Sequence, residues 1–144
     1  MLSYHNCRTN IQIGSDTMRR VIVDMHNALF ADAISAALKN SDSDFCVDRS
    51  ETPGKTTGLC SCAQADILIM EVTACTPWKL EERMKIRNEV KAKKPDCRVV
   101  LVVDENTQQK LADKVRRAKQ DGLTDNFIYG SVSAAYLSAV IDAL

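Results

Sequence analysis

Two stretches of the chain are apolar without a break. Ile67-Leu68-Ile69-Met70 lies between Asp66 and Glu71, and Val99–Val103 follows Arg98. A strand that buries one face alternates polar and apolar residues. A strand that buries both faces reads as a continuous apolar run, as in the middle of a parallel sheet covered by helices. Arg20–Asp24 reads as a strand of the same kind, Asp44–Asp48 as a short one carrying Phe45 and Val47, and Asn126–Tyr129 as the last.

Helical spacing fills the intervals. Asn27 predicts a cap for a helix whose apolar stripe is Leu29, Phe30, Ala33, Ile34, Ala37 and Leu38. Thr76-Pro77 predicts the start of another, a capping hydroxyl followed by proline at the first helical position. Glu81 and Glu82 early in it, and Lys91, Lys93 and Lys94 late, suit the helix dipole, and Pro95 stops it. Thr107–Gln120 predicts a helix with Leu111, Val115 and Ala118 inward, ended by Gly122. Ser131 or Ser133 caps a final helix running to Leu144. Arg49–Ala65 holds Pro53, Gly54 and Gly58, which predicts a short helix at most. Residues 1–17 are polar and lack periodicity, so a disordered leader is expected before a single domain at 18–144.

Strand and helix thus alternate five times. The expected fold is α/β and flavodoxin-like: a five-stranded parallel sheet, order 2-1-3-4-5, with helices on both faces. Sites in such sheets lie at the carboxyl ends of the strands, where the first and third strands are neighbours. Glu71 ends the central strand and Asp24 the first, so the two carboxylates are expected to meet there, with Asp104 close by.

Composition narrows the function. Lys+Arg and Asp+Glu are 19 each in 144 residues, so no global field favours nucleic acid or a membrane surface. No apolar run approaches the roughly 18 residues a membrane helix needs. The leader has no signal-peptide pattern, and six cysteines scattered among long elements do not form a secreted disulfide framework. A cytoplasmic protein with mostly reduced thiols is expected. Cys60-x-Cys62 has no second Cys/His pair to complete a zinc site, since His5 and His26 lie far off in sequence. Gly54-Lys55-Thr56 lacks the glycine at position 49 that a P-loop requires; Arg49 stands there. His26 lies near the expected site, but no nucleophile–base arrangement is legible, so an enzyme and a cofactor are not expected. Lys110, Lys114, Arg116, Arg117 and Lys119 read as a solvated helix face.

From Met18 to Leu144 the chain resembles the receiver domain of bacterial response regulators. Val21-Ile22-Val23-Asp24 looks like the receiver's first strand, and Asp66–Glu71 like the strand ending at the phospho-accepting aspartate. Leu80-Glu81, Pro95-Asp96 and the helix running to Gly122 fall where receivers have similar residues. The resemblance implies a degenerate site. Met25 stands in the acidic pair beside Asp24, and Glu71 at the phospho-acceptor position. Val103, or Asp104 in a register shifted by one, occupies the switch hydroxyl's place, and Tyr129 the lysine's. Magnesium at Asp24 and Glu71 is expected to bind weakly or not at all.

The expected function is therefore an atypical receiver domain acting by protein–protein contact in signalling or transcriptional regulation, without phosphorylation. A flavodoxin-like enzyme or ligand-binding domain using the carboxylates is the alternative. The final helix is apolar on more than one face. Leu137, Val140, Ile141 and Leu144 suffice to cover the sheet, which leaves Tyr136, Ala139 and Ala143, with Val140 at the margin, for a homodimer contact. Any output domain lies outside these residues.

Overall fold

The computed structural model describes residues 18–41, 44–103, 109–129 and 134–144. Five strands alternate with five helices: β1 (Arg19–Asp24), α1 (Ala28–Lys39), β2 (Phe45–Arg49), α2 (Pro53–Ala63), β3 (Ile67–Glu71), α3 (Leu80–Lys93), β4 (Arg98–Val103), α4 (Gln109–Gln120), β5 (Asn126–Tyr129) and α5 (Ala134–Asp142). The strands are all parallel in the order β2-β1-β3-β4-β5, as the strand pattern implied.

The continuous apolar runs bury both faces of the sheet. Ile22, Leu68, Met70, Val99, Leu101 and Val103 face α2, α3 and α4. Val21, Val23, Ile67, Ile69, Val100 and Val102 face α1 and α5. Each such side chain, removed fully from water, contributes about 1.5–3 kcal/mol before entropy is charged. The two layers explain why β3 and β4 contain no polar position between their ends.

The helices depart from expectation in three places. In α1 the buried residues are Ala31, Ile34 and Leu38, while Ala33 is exposed and Leu29 is 83% exposed. Leu29 is five residues before Ile34, which turns it about 140° away from the inward face. Tertiary packing against both the sheet and α5 sets the centre of that face. Second, α2 runs eleven residues despite its glycines. Pro53 occupies its first position, and Thr56, Cys60 and Ala63 anchor it inward at helical spacing. Third, α3 starts at Leu80 and not at Thr76-Pro77. That peptide is cis and belongs to a loop closed by Thr73 N–H donating to Trp78 O at 2.9 Å and Trp78 N–H to Cys75 O at 2.8 Å. Gly122 ends α4 at φ 76°, a conformation glycine reaches without strain. The expected caps Ser131 and Ser133, and the leader, lie outside the described residues.

Candidate functional site

The carboxyl edge of the sheet is built from the ends of β1 and β3. In the parallel register Asp24 sits beside Met70, and Glu71 beside Val102 of β4. The two acids have separate partners. Glu71 Oε1 accepts the backbone N–H of Asn27 at 2.8 Å. Asn27 in turn caps α1, its side-chain oxygen accepting Phe30 N–H at 3.0 Å. A carboxylate placed at a helix start also meets the positive end of the dipole.

Asp24 is buried, and its charge is met by a residue the sequence reading missed. Arg83 of α3 is completely buried, with 0% of its side chain exposed against 2% for Asp24. Its Nη1 donates to Asp24 Oδ2 at 2.6 Å. Its Nη2 reaches Asp24 Oδ1 at 3.3 Å and Asp24 O at 3.2 Å, and Nε donates to Glu71 O at 2.7 Å. Thr56 of α2 donates its hydroxyl to Asp24 Oδ2 at 2.6 Å, and Ser50 Oγ lies 2.8 Å from Thr56 Oγ1. A buried ionised group is tolerated only when it is paired and its remaining hydrogen-bonding sites are filled, and here both conditions hold. The acid that ends β1 is thus balanced within the fold, and its cation is an arginine.

The signal for Arg83 was present but unweighed. Arg83, Ile86 and Val90 are the buried residues of α3, spaced three and four apart. A cation on the inward stripe of a helix requires a buried partner. Thr56 similarly shares the inward stripe of α2 with Cys60 and Ala63. Gly54-Lys55-Thr56 is thus the first turn of a helix whose threonine faces the acid.

The other expected positions fall as follows. Met25 is 5% exposed and packs with the α1–α5 side of the core, so this residue is lost to the acidic site. Val103 is fully buried on the opposite side, paired in register with Tyr129. Asp104 lies outside the described residues, as does the side chain of Tyr129. His26 is exposed and its ring centroid is 4.1 Å from that of Trp78, tilted by 36°, which ties the loop after β1 to the loop after β3. On α5, Tyr136 is 57% exposed, Ala139 and Ala143 are exposed, and Val140 is half-buried.

The two buried thiols, Cys60 and Cys97, are poor nucleophiles. Burial pushes Cys60 well above the usual thiol range, with Cys97 and Asp24 adding to the rise. Burial also pushes Cys97 up to about 11, against the lowering effect of Lys94 and Lys91. Both stay protonated near neutral pH. Cys60, Cys62, Cys75 and Cys97 are not disulfide-bonded, whereas Cys46 is. Cys60 is buried and Cys62 exposed, and no group of three or more His, Cys, Asp or Glu side chains suited to a metal occurs among the described residues.

A cavity of about 440 Å³ opens at the opposite, amino-terminal edge of the sheet, with Arg19, Arg20, Asp66, Lys94, Asp96 and Arg98 in its wall. Three of its cations serve helix carboxyl ends. Arg20 Nη1 donates to Ala63 O at 2.7 Å, Lys94 Nζ to Gln64 O at 2.9 Å, and Arg19 Nη2 to Asp142 O at 3.0 Å. They neutralise the negative ends of α2 and α5, a structural role.

Comparison with solved structures identifies the fold as that of response-regulator receiver domains. A redox sensor of the streptococci, from a family described as evolved from two-component response regulators, matches with a TM-score of 0.68 at 18% identity. That match covers 87% of this chain and 50% of the other, so the chain spans about half the length of that protein. The regulatory domain of the repressor of iron transport regulator (RitR), in its inactive form, matches with a TM-score of 0.67 at 18% identity, covering 87% and 93%. A CheY-like receiver domain protein from Methanospirillum hungatei matches with a TM-score of 0.67 at 11% identity, covering 88% and 92%. No family model and no curated protein matches the chain. No helix among the described residues is long and apolar enough to cross a membrane.

Proposed function

We propose that this chain is a receiver-fold signalling module that works by protein–protein contact and without phosphoryl transfer. The observation that carries the reading is the commitment of its site carboxylates. Glu71, at the phospho-acceptor position of the resemblance, is bound to the Asn27 amide, and Asp24 is held by Arg83 and Thr56. Phosphoryl transfer needs a free nucleophile and a cation placed on the transferring group's oxygens. Here the buried cation is turned onto Asp24. The same contacts disfavour the alternative of a flavodoxin-like enzyme or ligand-binding domain using these carboxylates, because both oxygens of Asp24 and Oε1 of Glu71 are already hydrogen-bonded.

The contact surface proposed is the outer face of α5, through which two copies pair. Tyr136, Ala139 and Ala143 are exposed there beside half-buried Val140, while Leu137 and Ile141 of the same helix are fully buried in the core. Small alanines allow close approach of a second helix across a two-fold axis.

The test of the chemical half is incubation with a small-molecule phosphodonor and magnesium, read by intact mass. The expected result is no phosphoadduct. A stoichiometric adduct mapped to Glu71 or Asp24 would overturn the reading.

A further inference from the structure

The oxygen atoms that meet Arg83 are hard donors of the type a divalent cation also takes, and they come from two residues. Asp24 contributes Oδ1, Oδ2 and its backbone O, and Glu71 contributes its backbone O, all within 3.3 Å of guanidinium nitrogens. The set contains no nitrogen or sulfur ligand, which is the donor chemistry of magnesium, calcium or manganese. These oxygens lie at the sheet edge, where the first and third strands end side by side. A divalent ion there would need its own hydration shell and several further oxygens. The guanidinium instead brings planar, weakly hydrated charge on a covalent stem, and its donors match the carboxylate and carbonyl oxygens one by one.

We propose that Arg83 is the resident cation of this oxygen set: it takes the place of a hard divalent metal ion, and the domain therefore neither binds nor responds to magnesium. The inference stands on the buried pair and does not depend on the signalling reading above. Three features bear on it together. Arg83 is completely buried, so no solvent path competes for its charge. Thr56 donates to the same Asp24 oxygen that Nη1 contacts, so that oxygen is saturated from two sides. Met25, in the position where a second acid would stand, is turned into the core. The charge of Asp24 is thus matched one to one, and a divalent ion would add a net positive charge to a buried site.

The experiment measures unfolding by denaturant in EDTA and in magnesium or manganese chloride at matched ionic strength, for the parent chain and for Arg83→Ser. A metal site of about 0.1 mM affinity at about 10 mM metal would raise the folding equilibrium constant about 100-fold by mass action. The parent is expected to show no metal-specific change. Arg83→Ser, which removes the guanidinium and leaves Asp24 unpaired, is expected to gain about 10-fold or more in the folding constant with metal. Metal-specific stabilisation of the parent would overturn the proposal, and so would a folded Arg83→Ser that ignores metal. Should Arg83→Ser fail to fold in either condition, Arg83→Lys decides. It keeps one positive charge, so folding that is indifferent to metal supports the proposal, and folding that requires metal overturns it. A phosphoadduct on the parent would sink the signalling reading while leaving this result untouched.

Discussion

Replacing Arg83 with methionine isolates the contribution of the buried charge. Methionine keeps a long apolar stem in the space the arginine methylenes fill, so the perturbation is mainly loss of the guanidinium. What remains is Asp24, with 2% of its side chain exposed and only the Thr56 hydroxyl still donating to its carboxylate. Glu71 O loses the Nε donor as well. Removing one partner of a buried ion pair costs about 3–5 kcal/mol, because the other charge is left in a poor solvent. For a domain of this size each kcal/mol moves the melting midpoint by roughly 3–4 °C, so a fall of roughly 10–20 °C is expected. The whole domain is stabilised by about 5–15 kcal/mol, so the assay is urea unfolding at low temperature, where the variant stays measurable. Asp24→Asn alone strands the guanidinium and should cost a similar amount. The double variant Asp24→Asn, Arg83→Met removes both charges and should lie within about 2 kcal/mol of the parent, a large favourable coupling. A cost below about 1 kcal/mol for Arg83→Met, or strict additivity in the cycle, would refute the reasoning.

Ala139→Arg places an unpaired charge on the proposed pairing face of α5 without touching the core, since Ala139 is exposed. Sedimentation at tens of micromolar should show a dimer for the parent and a folded monomer for the variant, and a monomeric parent would refute the pairing. Asp125 offers a pH test. Burial raises its carboxyl, but the Val99 amide, through a 2.6 Å hydrogen bond, and Lys91, at 3.1 Å, outweigh it and hold the carboxyl below the usual range. A depressed folded-state value adds stability that is fully present above the unfolded value and is lost as pH falls through the folded one. Asp125→Asn should therefore cost about 1 kcal/mol near neutral pH, and the gap should close in strong acid, as read by urea unfolding at each pH. A gap independent of pH would contradict the assignment.

The receiver fold was legible because it rests on one-dimensional patterns. Ile67–Met70 and Val99–Val103 must be covered on both faces, and with helical patterns between the strands a parallel sheet between helix layers does that. Short connections and right-handed crossovers then leave few strand orders. Asn27 was legible as a cap because capping is local, as its bond to Phe30 shows. The placement of Asp24 and Glu71 at the carboxyl edge also follows from strand ends alone.

What the sequence did not determine depends on which faces turn toward each other. The rotation of α1 is set jointly by the sheet and α5, and it leaves Leu29 in solvent although leucine there matches a plausible stripe. The start of α3 is decided by the closed loop from Thr73 to Trp78, whose hydrogen bonds override the local preference of Thr76-Pro77. The partner of Asp24 lies 59 residues away on α3, and its second donor 32 residues away on α2. No spacing rule links positions so distant. A residue's charge is written in the chain, but its free energy depends on burial and on the oxygens around it. The sequence alone therefore predicted acids at the edge of a sheet, and only the tertiary structure, by bringing α2 and α3 over β1, gave one of them its counter-charge.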